Sequence, residues 1–215
     1  MEIIRYNLFG LHLQEPMAFI TNGLIALFCF WAYRSLRHDT SVNHYWKLFY
    51  LMLGISSAFG ALGHSLFGYF GMYGKMPSWV LAAVANVFSG YGMLKYDQDI
   101  SSKNPMVHFV WIKSLGLLVA SILIQKFVFV ACDAIVSYLL FTGAYAIKLR
   151  KNGFESMKYM VLGVLIMLPS AFVFLYQWNP FRWLNKDDIS HLLILAGIFC
   201  FYLALKKGVN QLKLA

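Results

Sequence analysis

The sequence predicts an all-α, polytopic membrane protein that forms a single bundle of seven transmembrane helices. Three observations predict this fold class. Of the 215 residues, 60% are hydrophobic and only 13% are charged, the mean hydropathy is +0.63, and the apolar residues fall into long runs. Soluble domains average about 45–50% apolar and about 25% charged residues. The chain is therefore devoted to membrane spans rather than to soluble domains.

Seven apolar segments approach the ~20 residues that a helix needs to cross ~30 Å of hydrocarbon. The connections between them are short, and only Gln125 and Lys126 separate the fourth segment from the fifth, which predicts an antiparallel helical hairpin. We therefore expect residues 1–215 to form one transmembrane domain. The predicted spans are Met17–Tyr33, Leu48–Phe70, Pro77–Leu94, Met106–Ile124, Phe127–Ile147, Tyr159–Tyr176 and Ile189–Leu205.

Two kinds of side chain in or near the spans are predicted to have structural roles. The cysteines all fall inside spans, so we expect packing rather than disulfide pairing from Cys29, Cys132 and Cys200. Tryptophans near span ends are typical of anchors at the membrane interface. This interpretation applies to Trp46, Trp79, Trp178 and Trp183.

The positive charges predict the orientation of the bundle. The net charge is +9, but the cations punctuate apolar runs instead of forming a basic stripe, which argues against a nucleic-acid partner. With the amino terminus outside, five cations lie on the outer side: Arg5, Lys75, Lys126, Arg182 and Lys186. Twelve lie inside: Arg34, Arg37, Lys47, Lys95, Lys103, Lys148, Arg150, Lys151, Lys158, Lys206, Lys207 and Lys213. This bias predicts a multi-pass protein with its amino terminus outside or lumenal and its carboxyl terminus cytoplasmic.

Polar residues concentrate in the outer half of the predicted spans. Asn22, His64 and Asp133 each lie about five or six residues from an outer end, or roughly 8 Å at 1.5 Å per residue. Asn86 lies nearer the middle of the third span. Ionisable groups in membrane helices are costly unless paired, hydrated or bound to an ion. The polar residues that precede the first span or open the seventh are Glu15, Asp187, Asp188 and His191.

Each of these residues also has a purely structural interpretation. Small residues recur at spacings of three and four before His64, which predicts a close helix-packing face. Asp133 could pair with Lys126 or Lys113, and the two asparagines could hydrogen-bond between helices. Asp187 or Asp188 is expected to cap the seventh helix, where a carboxylate meets free N–H groups and the positive end of the helix dipole.

The functional interpretation of the same residues is a zinc site. Asp187 and His191 are spaced i, i+4 and therefore share one face of a helix. Together with His64 they supply two imidazoles and a carboxylate, which suit zinc and leave a fourth position for water. Zinc-bound water attacks amide or ester carbonyls near neutral pH.

The same pattern resembles the CREST superfamily, which includes alkaline ceramidases, adiponectin receptors and haemolysin-III-like proteins. The resemblance implies a seven-span fold and, for the enzymes, zinc held by one histidine of the second helix and a His-x-x-x-His pair that opens the seventh. His64 and His191 fall at matching positions. Glu15-Pro16 followed by Thr21-Asn22 resembles the element that opens the first helix of ceramidases. The predicted orientation also matches the ceramidase branch.

The chain departs from the pattern of that superfamily at three points. Asp187 stands where the enzymes have a histidine, and Gly60 stands where a serine precedes the second-helix histidine by four residues. The early third span lacks the aspartate that the enzymes place near the metal-bound water. Asp133 or Asn86 would have to substitute for it. These departures leave a non-catalytic member of the superfamily as an alternative.

The sequence thus supports two functional hypotheses. The first is a zinc-dependent membrane hydrolase of an amide- or ester-linked lipid. In this hypothesis His64, Asp187 and His191 bind the metal and Asp133 serves as the base or orients water. Glu15, Asn22, Asn86 and Asp188 complete the polar pocket. The alternative is a non-catalytic seven-helix protein such as a receptor-like module, a transporter or an ion or proton pathway. Such a pathway would use the intramembrane groups Lys113, Asp133, His64 and His108.

Overall fold

The computed structural model describes residues 4–36, 41–96, 104–181 and 183–212. Four cations of the orientation argument lie outside these ranges: Arg37, Lys103, Arg182 and Lys213. The described residues form a short β-hairpin and seven long helices. The elements are β1 (Arg5–Leu8), β2 (Leu11–Gln14), α1 (Pro16–Ser35), α2 (Ser41–Ser65), α3 (Phe67–Phe70), a 3-10 turn (Gly71–Gly74), α4 (Met76–Leu94), α5 (Pro105–Ile124), α6 (Val128–Val136), a π-helix (Ser137–Ala144), α7 (Tyr145–Lys151), α8 (Met157–Leu175) and α9 (Lys186–Leu212).

The second long helix is shorter at its carboxyl end than predicted. α2 ends at Ser65, and the predicted continuation to Phe70 is instead the single-turn helix α3 followed by the 3-10 turn. Glycine is a poor helix former because it loses more backbone freedom on ordering than other residues. Three glycines follow closely after Ser65, and one of them, Gly71, has a positive φ of 54°. The chain can therefore leave the helix just beyond the last turn of α2.

The fifth long helix contains a π-helical segment in its middle. α6, the π-helix and α7 follow without interruption, and together they form one helix, Val128–Lys151. A π-helix adds a residue to each turn and locally widens the helix. We refer to this continuous element as the α6–α7 helix.

Six of the seven long helices in the described ranges are long and apolar enough to cross a membrane. The helix outside this group is α4, whose Asn86, Ser89 and Tyr91 dilute its apolar residues. The structure buries ten of the 19 residues of α4, including Asn86. About half of α4 therefore faces protein. The six apolar helices are those of a multi-pass membrane protein.

The long helices form a closed ring with one additional helix outside it. α2 packs between α1 and α4, and α9 packs between α1 and α8. The α6–α7 helix closes the ring by contacting both α4 and α8, while α5 lies outside against α4 and α6. The centre is filled by large apolar and aromatic side chains, among them Trp46, Phe49, Tyr50, Met160, Ile198, Phe201 and Tyr202.

The outward faces of the helices are apolar, as lipid contact requires. Leu27, Ile112 and Leu165 are 69%, 68% and 57% exposed, and all lie on long helices. The tryptophans divide into two groups. The prediction of interfacial anchors is wrong for Trp46 and Trp79, which are buried against neighbouring helices, whereas Trp178 and Trp183 are exposed. Position near a span end does not determine which way an indole faces.

Close approach of two glycines sets the packing of α8 against α9. A Cβ on Gly163 would lie 2.6 Å from the carbonyl oxygen of Gly197 and 2.7 Å from the Phe201 ring. Small residues are favoured at such crossings because membrane helices associate mainly through van der Waals contact between closely packed backbones. The α8–α9 contact therefore requires glycine at position 163.

We predict that Gly163→Ala destabilises the protein by about 1–3 kcal/mol, the usual cost of overpacking a tight contact. The measurement is thermal unfolding in detergent. Gly116→Ala is the matched control, because a Cβ on Gly116 of α5 would have no neighbour within 4 Å. Equal melting temperatures for the two variants would show that the α8–α9 contact yields readily.

Candidate functional site

The N-terminal hairpin leads the chain directly into the candidate site. β1 and β2 pair antiparallel through a two-residue turn, Phe9-Gly10, in which both φ angles are positive. The backbone N–H of Glu15 donates to the carbonyl of Ile4 at 2.9 Å. Glu15 itself has a φ of 53°, a left-handed conformation that is uncommon for a residue with a side chain and costs on the order of 1–3 kcal/mol. Such backbone strain is often found at functional sites, where the surrounding structure fixes the direction of the side chain.

The carboxylate of Glu15 meets a histidine from the far end of α2. Glu15 Oε2 lies 2.7 Å from Nδ1 of His64. The ammonium of Lys75 lies 3.2 Å from the same nitrogen and 4.0 Å from Glu15 Oε2. Because α1 and α4 begin here and α2 ends here, we call this the site end of the bundle. The three groups are each less than one-fifth exposed.

The second histidine enters the site end from the beginning of α9. Nδ1 of His191 lies 3.0 Å from Oγ1 of Thr21 and 3.3 Å from Nδ2 of Asn22, so α1 holds this ring. The rings of His64 and His191 are nearly perpendicular, with centroids 6.2 Å apart. Within the described part of the chain, the Nε2 atoms of both histidines have no hydrogen-bond partner. Each imidazole is thus anchored through one nitrogen and free at the other.

The first turn of α9 is capped by a residue that the sequence analysis did not single out. Asn185 Oδ1 accepts from the backbone N–H groups of Asp187 and Asp188 at 2.8 and 3.1 Å. Asp188 Oδ2 accepts in return from the Asn185 N–H at 2.9 Å, which completes a capping box. Asp188 therefore takes part in capping, as expected, whereas Asp187 does not cap and pairs with the Lys186 ammonium at 2.7 Å.

Several of these groups line a polar cavity of about 190 Å³ at the site end, whereas Glu15 and Asp188 do not. Gly60 contributes to the open space, because a Cβ there would lie 2.9 Å from Asn22 Oδ1. A neighbouring apolar cavity of about 100 Å³ lies between α6, α8 and α9. Phe127 and Phe174 line both cavities. The lining residues of the polar cavity are Asn22, Gly60, His64, Met72, Lys75, Ser78, Trp79, Phe127, Phe174, Lys186, Asp187 and His191.

Three described side chains come close enough together to share a metal ion. Ligand atoms of Glu15, His64 and Asp187 all lie within 4.8 Å of one another. The sequence predicted Glu15 as a pocket residue but not as a metal ligand, so its position at ligand distance was not predicted. His191 lies outside this group of three. Two imidazoles bound tetrahedrally to one zinc have ring centroids ~5 Å apart, given bonds of ~2.0–2.1 Å. The rings of His64 and His191 would have to approach by about 1 Å to meet that geometry.

The charges at the site end shift the pKa values of two of its groups. Burial raises the pKa of the Glu15 carboxyl, but the hydrogen bond and charge of His64 and the charge of Lys75 outweigh burial, so this pKa lies below its usual value. Burial also lowers the pKa of Lys75, and the negative charges of Glu15 and Asp187 offset this effect only in part. The site end thus keeps Glu15 ionised.

We predict that acidification destabilises the metal-free protein partly through Glu15. Because its pKa is lower in the folded than in the unfolded state, ionised Glu15 stabilises the fold above its unfolded pKa of about 4.3. This stabilisation is lost as the pH falls through the folded pKa. The melting temperature of chelator-treated protein should therefore fall more steeply below about pH 5 for wild type than for Glu15→Gln.

The control for this experiment is Glu155→Gln, since Glu155 is exposed between α7 and α8. The Glu155→Gln protein should retain the steep pH dependence of wild type. If Glu15→Gln also retains it, the Glu15–His64 contact does not contribute to stability.

Asp133 and Asn86 belong to a second, separate polar cluster between α4, α5 and α6. The Lys113 ammonium donates to Asp133 Oδ1 at 2.5 Å and to Ser137 Oγ at 2.6 Å. Asn86 Nδ2 donates to Asp133 Oδ2, and Ser114 Oγ to Asp133 Oδ1, both at 2.8 Å. Asp133 is only 1% exposed and does not line the polar cavity with His64. The structure therefore bears out pairing of Asp133 with Lys113, and separates the predicted base from the predicted metal ligands.

We predict that removing either ion-pair partner destabilises the protein by about 3–5 kcal/mol, because the remaining charge is buried without its partner. Lys113→Met and Asp133→Leu should each lower the melting temperature in detergent strongly. The double variant should recover much of the loss, because it leaves neither charge behind. Additive losses in the double variant would mean that Lys113 and Asp133 contribute independently.

Comparison with known proteins assigns the chain to a family. No curated protein sequence and no solved structure matches it. Residues 17–210 match a single family description, and this range begins in the first turn of α1 and ends within α9. It therefore includes all seven long helices as well as His64, Asp187 and His191. The protein belongs to the family described as Family of unknown function (DUF6962).

Proposed function

We propose that the protein is a zinc-dependent hydrolase of an amide- or ester-linked membrane lipid, similar in plan to the CREST enzymes. One observation carries this proposal. His64, near the end of α2, and His191, near the start of α9, line the same cavity as Asp187. Each ring is anchored through Nδ1, while its Nε2 has no hydrogen-bond partner among the described residues. Histidine metal ligands are typically oriented through their second nitrogen in this way.

The donor set at the site end suits a zinc ion. His64, His191 and Asp187 would hold it, with Glu15 either orienting His64 or completing the set. Asp188 Oδ1 is buried and has no hydrogen-bond partner among the described residues, and its charge interacts with those of Glu15 and His64. A bound zinc ion would polarise a carbonyl group and activate water near neutral pH.

The residues around the ligands control protons and ring orientation. A proton on Nδ1 of His64 donates to Glu15 Oε2 and leaves the Nε2 lone pair directed away from the carboxylate. The corresponding proton on His191 donates to Thr21 Oγ1, whose own hydroxyl donates to the Ala18 carbonyl. Both rings are thereby prepared to bind a cation through Nε2. Asp133 is not assigned a role in this chemistry, because its carboxylate is engaged by Lys113.

We also propose that α4 crosses the membrane, which gives seven spans. Glu15 at the start of α1 and Asp187 at the start of α9 lie at the same end of the bundle. Seven alternating spans bring these two helix starts to one side, whereas six would bring them to opposite sides. Together with the distribution of Lys and Arg, this supports an outside or lumenal amino terminus and a cytoplasmic carboxyl terminus.

The apolar cavity supports a lipid as the substrate. It adjoins the polar cavity through Phe127 and Phe174, whose ring centroids are 5.4 Å apart. Its walls include the small side chains of Ala131, Ala134 and Ala171, which leave room inside the cavity. An apolar chain could lie there while the polar part of the same molecule reaches the histidines. Ligand sites commonly combine an apolar wall with a few converging polar groups in this manner.

The buried Lys113–Asp133 pair favours a second candidate, a non-catalytic protein with an ion or proton pathway. Its polar groups are already satisfied by one another. His108, which would extend the pathway, is exposed on α5. The pathway is therefore the weaker candidate.

We predict about one zinc per chain in the purified protein, since the donor set is that of a catalytic zinc site. The metal should be lost in His191→Ala and in His64→Ala and retained in the control His108→Ala. The measurement is metal content by mass spectrometry, followed by hydrolysis assays with amide- and ester-linked lipids. Absence of metal from wild type and variants alike would leave the non-catalytic alternative.

A further inference from the structure

Two lysines share the polar cavity with the histidines. Lys75 precedes α4 and Lys186 opens α9, and each side chain is 19% exposed. Lys186 lies over the Phe174 ring at 4.7 Å, and Lys75 lies over the Phe67 ring at 5.0 Å. These cation–π contacts hold the two ammonium groups at the cavity wall.

Each lysine has one nearby carboxylate at the site end. Lys186 Nζ lies 2.7 Å from Asp187 Oδ1, and Lys75 Nζ lies 4.0 Å from Glu15 Oε2. Glu15 and Asp187 are also the two carboxylates that come within 4.8 Å of His64 in the candidate ligand group. If these two negative charges neutralise a divalent cation, no counter-charge within this group remains for Lys75 and Lys186. Uncompensated charges in a partly buried cavity are costly, so the cavity then favours an anion.

The start of α4 adds further groups that favour an anion. Among the described residues, no side chain caps the N-terminus of α4, and the N–H groups of a first helical turn carry a partial positive charge. Ser78, in this first turn, lines the cavity, and its hydroxyl has no hydrogen-bond partner among the described residues. The start of α9, in contrast, is already satisfied by Asn185. An anion between Lys75 and Lys186 would therefore meet a free hydroxyl as well as two ammonium groups.

We propose that the cavity binds a lipid with an anionic headgroup, a phosphate or a carboxylate, and that Lys75 and Lys186 hold this group. The proposal rests on the proposed function, because the charge count assumes that Glu15 and Asp187 hold a cation. It narrows the substrate to anionic lipids. The apolar cavity beyond Phe127 and Phe174 accepts the part of the chain next to the headgroup.

The test compares three lipids that have a chain of sixteen carbons and no amide or carboxylic ester bond: hexadecyl phosphate, hexadecanoate and hexadecanol. Binding to the full-length protein in neutral detergent is measured by isothermal titration. We expect both anions to bind more tightly than the alcohol, and the stronger of the two identifies phosphate or carboxylate. Because a hydrogen bond to a charged group is worth about 1.5–3 kcal/mol, Lys75→Gln and Lys186→Gln should each weaken anion binding by roughly 10- to 100-fold.

Two further variants separate a direct contact from a general loss of charge or structure. Lys126→Gln is the control, because Lys126 is exposed in the α5–α6 connection next to Phe127 and its side chain does not line the cavity. It should leave anion binding unchanged. Lys186→Arg keeps the charge and should retain most of the affinity. Equal binding of hexadecanol and the anions by wild type, or anion affinity that survives both glutamine substitutions, would overturn the headgroup assignment.

Zinc content of the same samples tests the proposed function separately. If zinc-loaded protein binds the neutral alcohol as tightly as it binds the anions, the headgroup assignment is wrong but the proposed function is not. Zinc-free protein that still prefers the anions, and loses this preference in the lysine variants, would overturn the metal while upholding the lysine site.

Discussion

The contact between Glu15 and His64 is the constraint on which the arrangement of the site end depends. It joins residues 49 positions apart at 2.7 Å, and it fixes the start of α1 against the end of α2. Both groups are mostly buried at the end of an apolar bundle, where an unpaired charge would be costly. The ion pair of Glu15 with Lys75 adds the start of α4 to this contact, and the hydrogen bond between His191 and Thr21 joins the start of α9 to α1. Four helix ends are thus held in one place by polar contacts, while apolar packing shapes the rest of the ring.

The two polar clusters of this bundle differ in how far their buried polar atoms have hydrogen-bond partners, and this difference is relevant to function. In the cluster around Asp133, this carboxylate accepts hydrogen bonds from Lys113, Asn86 and Ser114, so both of its oxygens have partners. Such a closed network joins α4, α5 and α6 and needs no ligand. At the site end, the Nε2 atoms of both histidines and one oxygen of Asp188 have no partner among the described residues. Of these groups, the two histidines line the polar cavity, so their Nε2 atoms are the ones available to a ligand.

The sequence predicted the helices better than it predicted the faces they present. Length and hydropathy located each of the seven long helices. A helix exposed to lipid must have apolar side chains, and a run of apolar residues can be recognised in the sequence itself. The break after Ser65 depended on glycines inside an otherwise apolar run, and the burial of Trp46 depended on its facing the core. Depth alone grouped Asp133 with His64, although rotation about the helix axes places them in different clusters. Glu15 could be assigned to the pocket from its position before Pro16, but its approach to His64 is a tertiary contact.

The lysines at the cavity explain why Asp187, rather than a histidine, suits this position in the first turn of α9. Lys186 immediately precedes it and pairs with it, whereas a neutral imidazole at this position would leave Lys186 without this partner. The carboxylate therefore compensates the lysines when no cation is present and becomes available to a cation when an anion occupies the lysines. A cation and an anionic headgroup would then each strengthen the binding of the other, since thermodynamic coupling between two sites is reciprocal. If the site holds a cation and an anionic lipid as proposed, the aspartate marks adaptation of the metal site to a charged substrate rather than its loss.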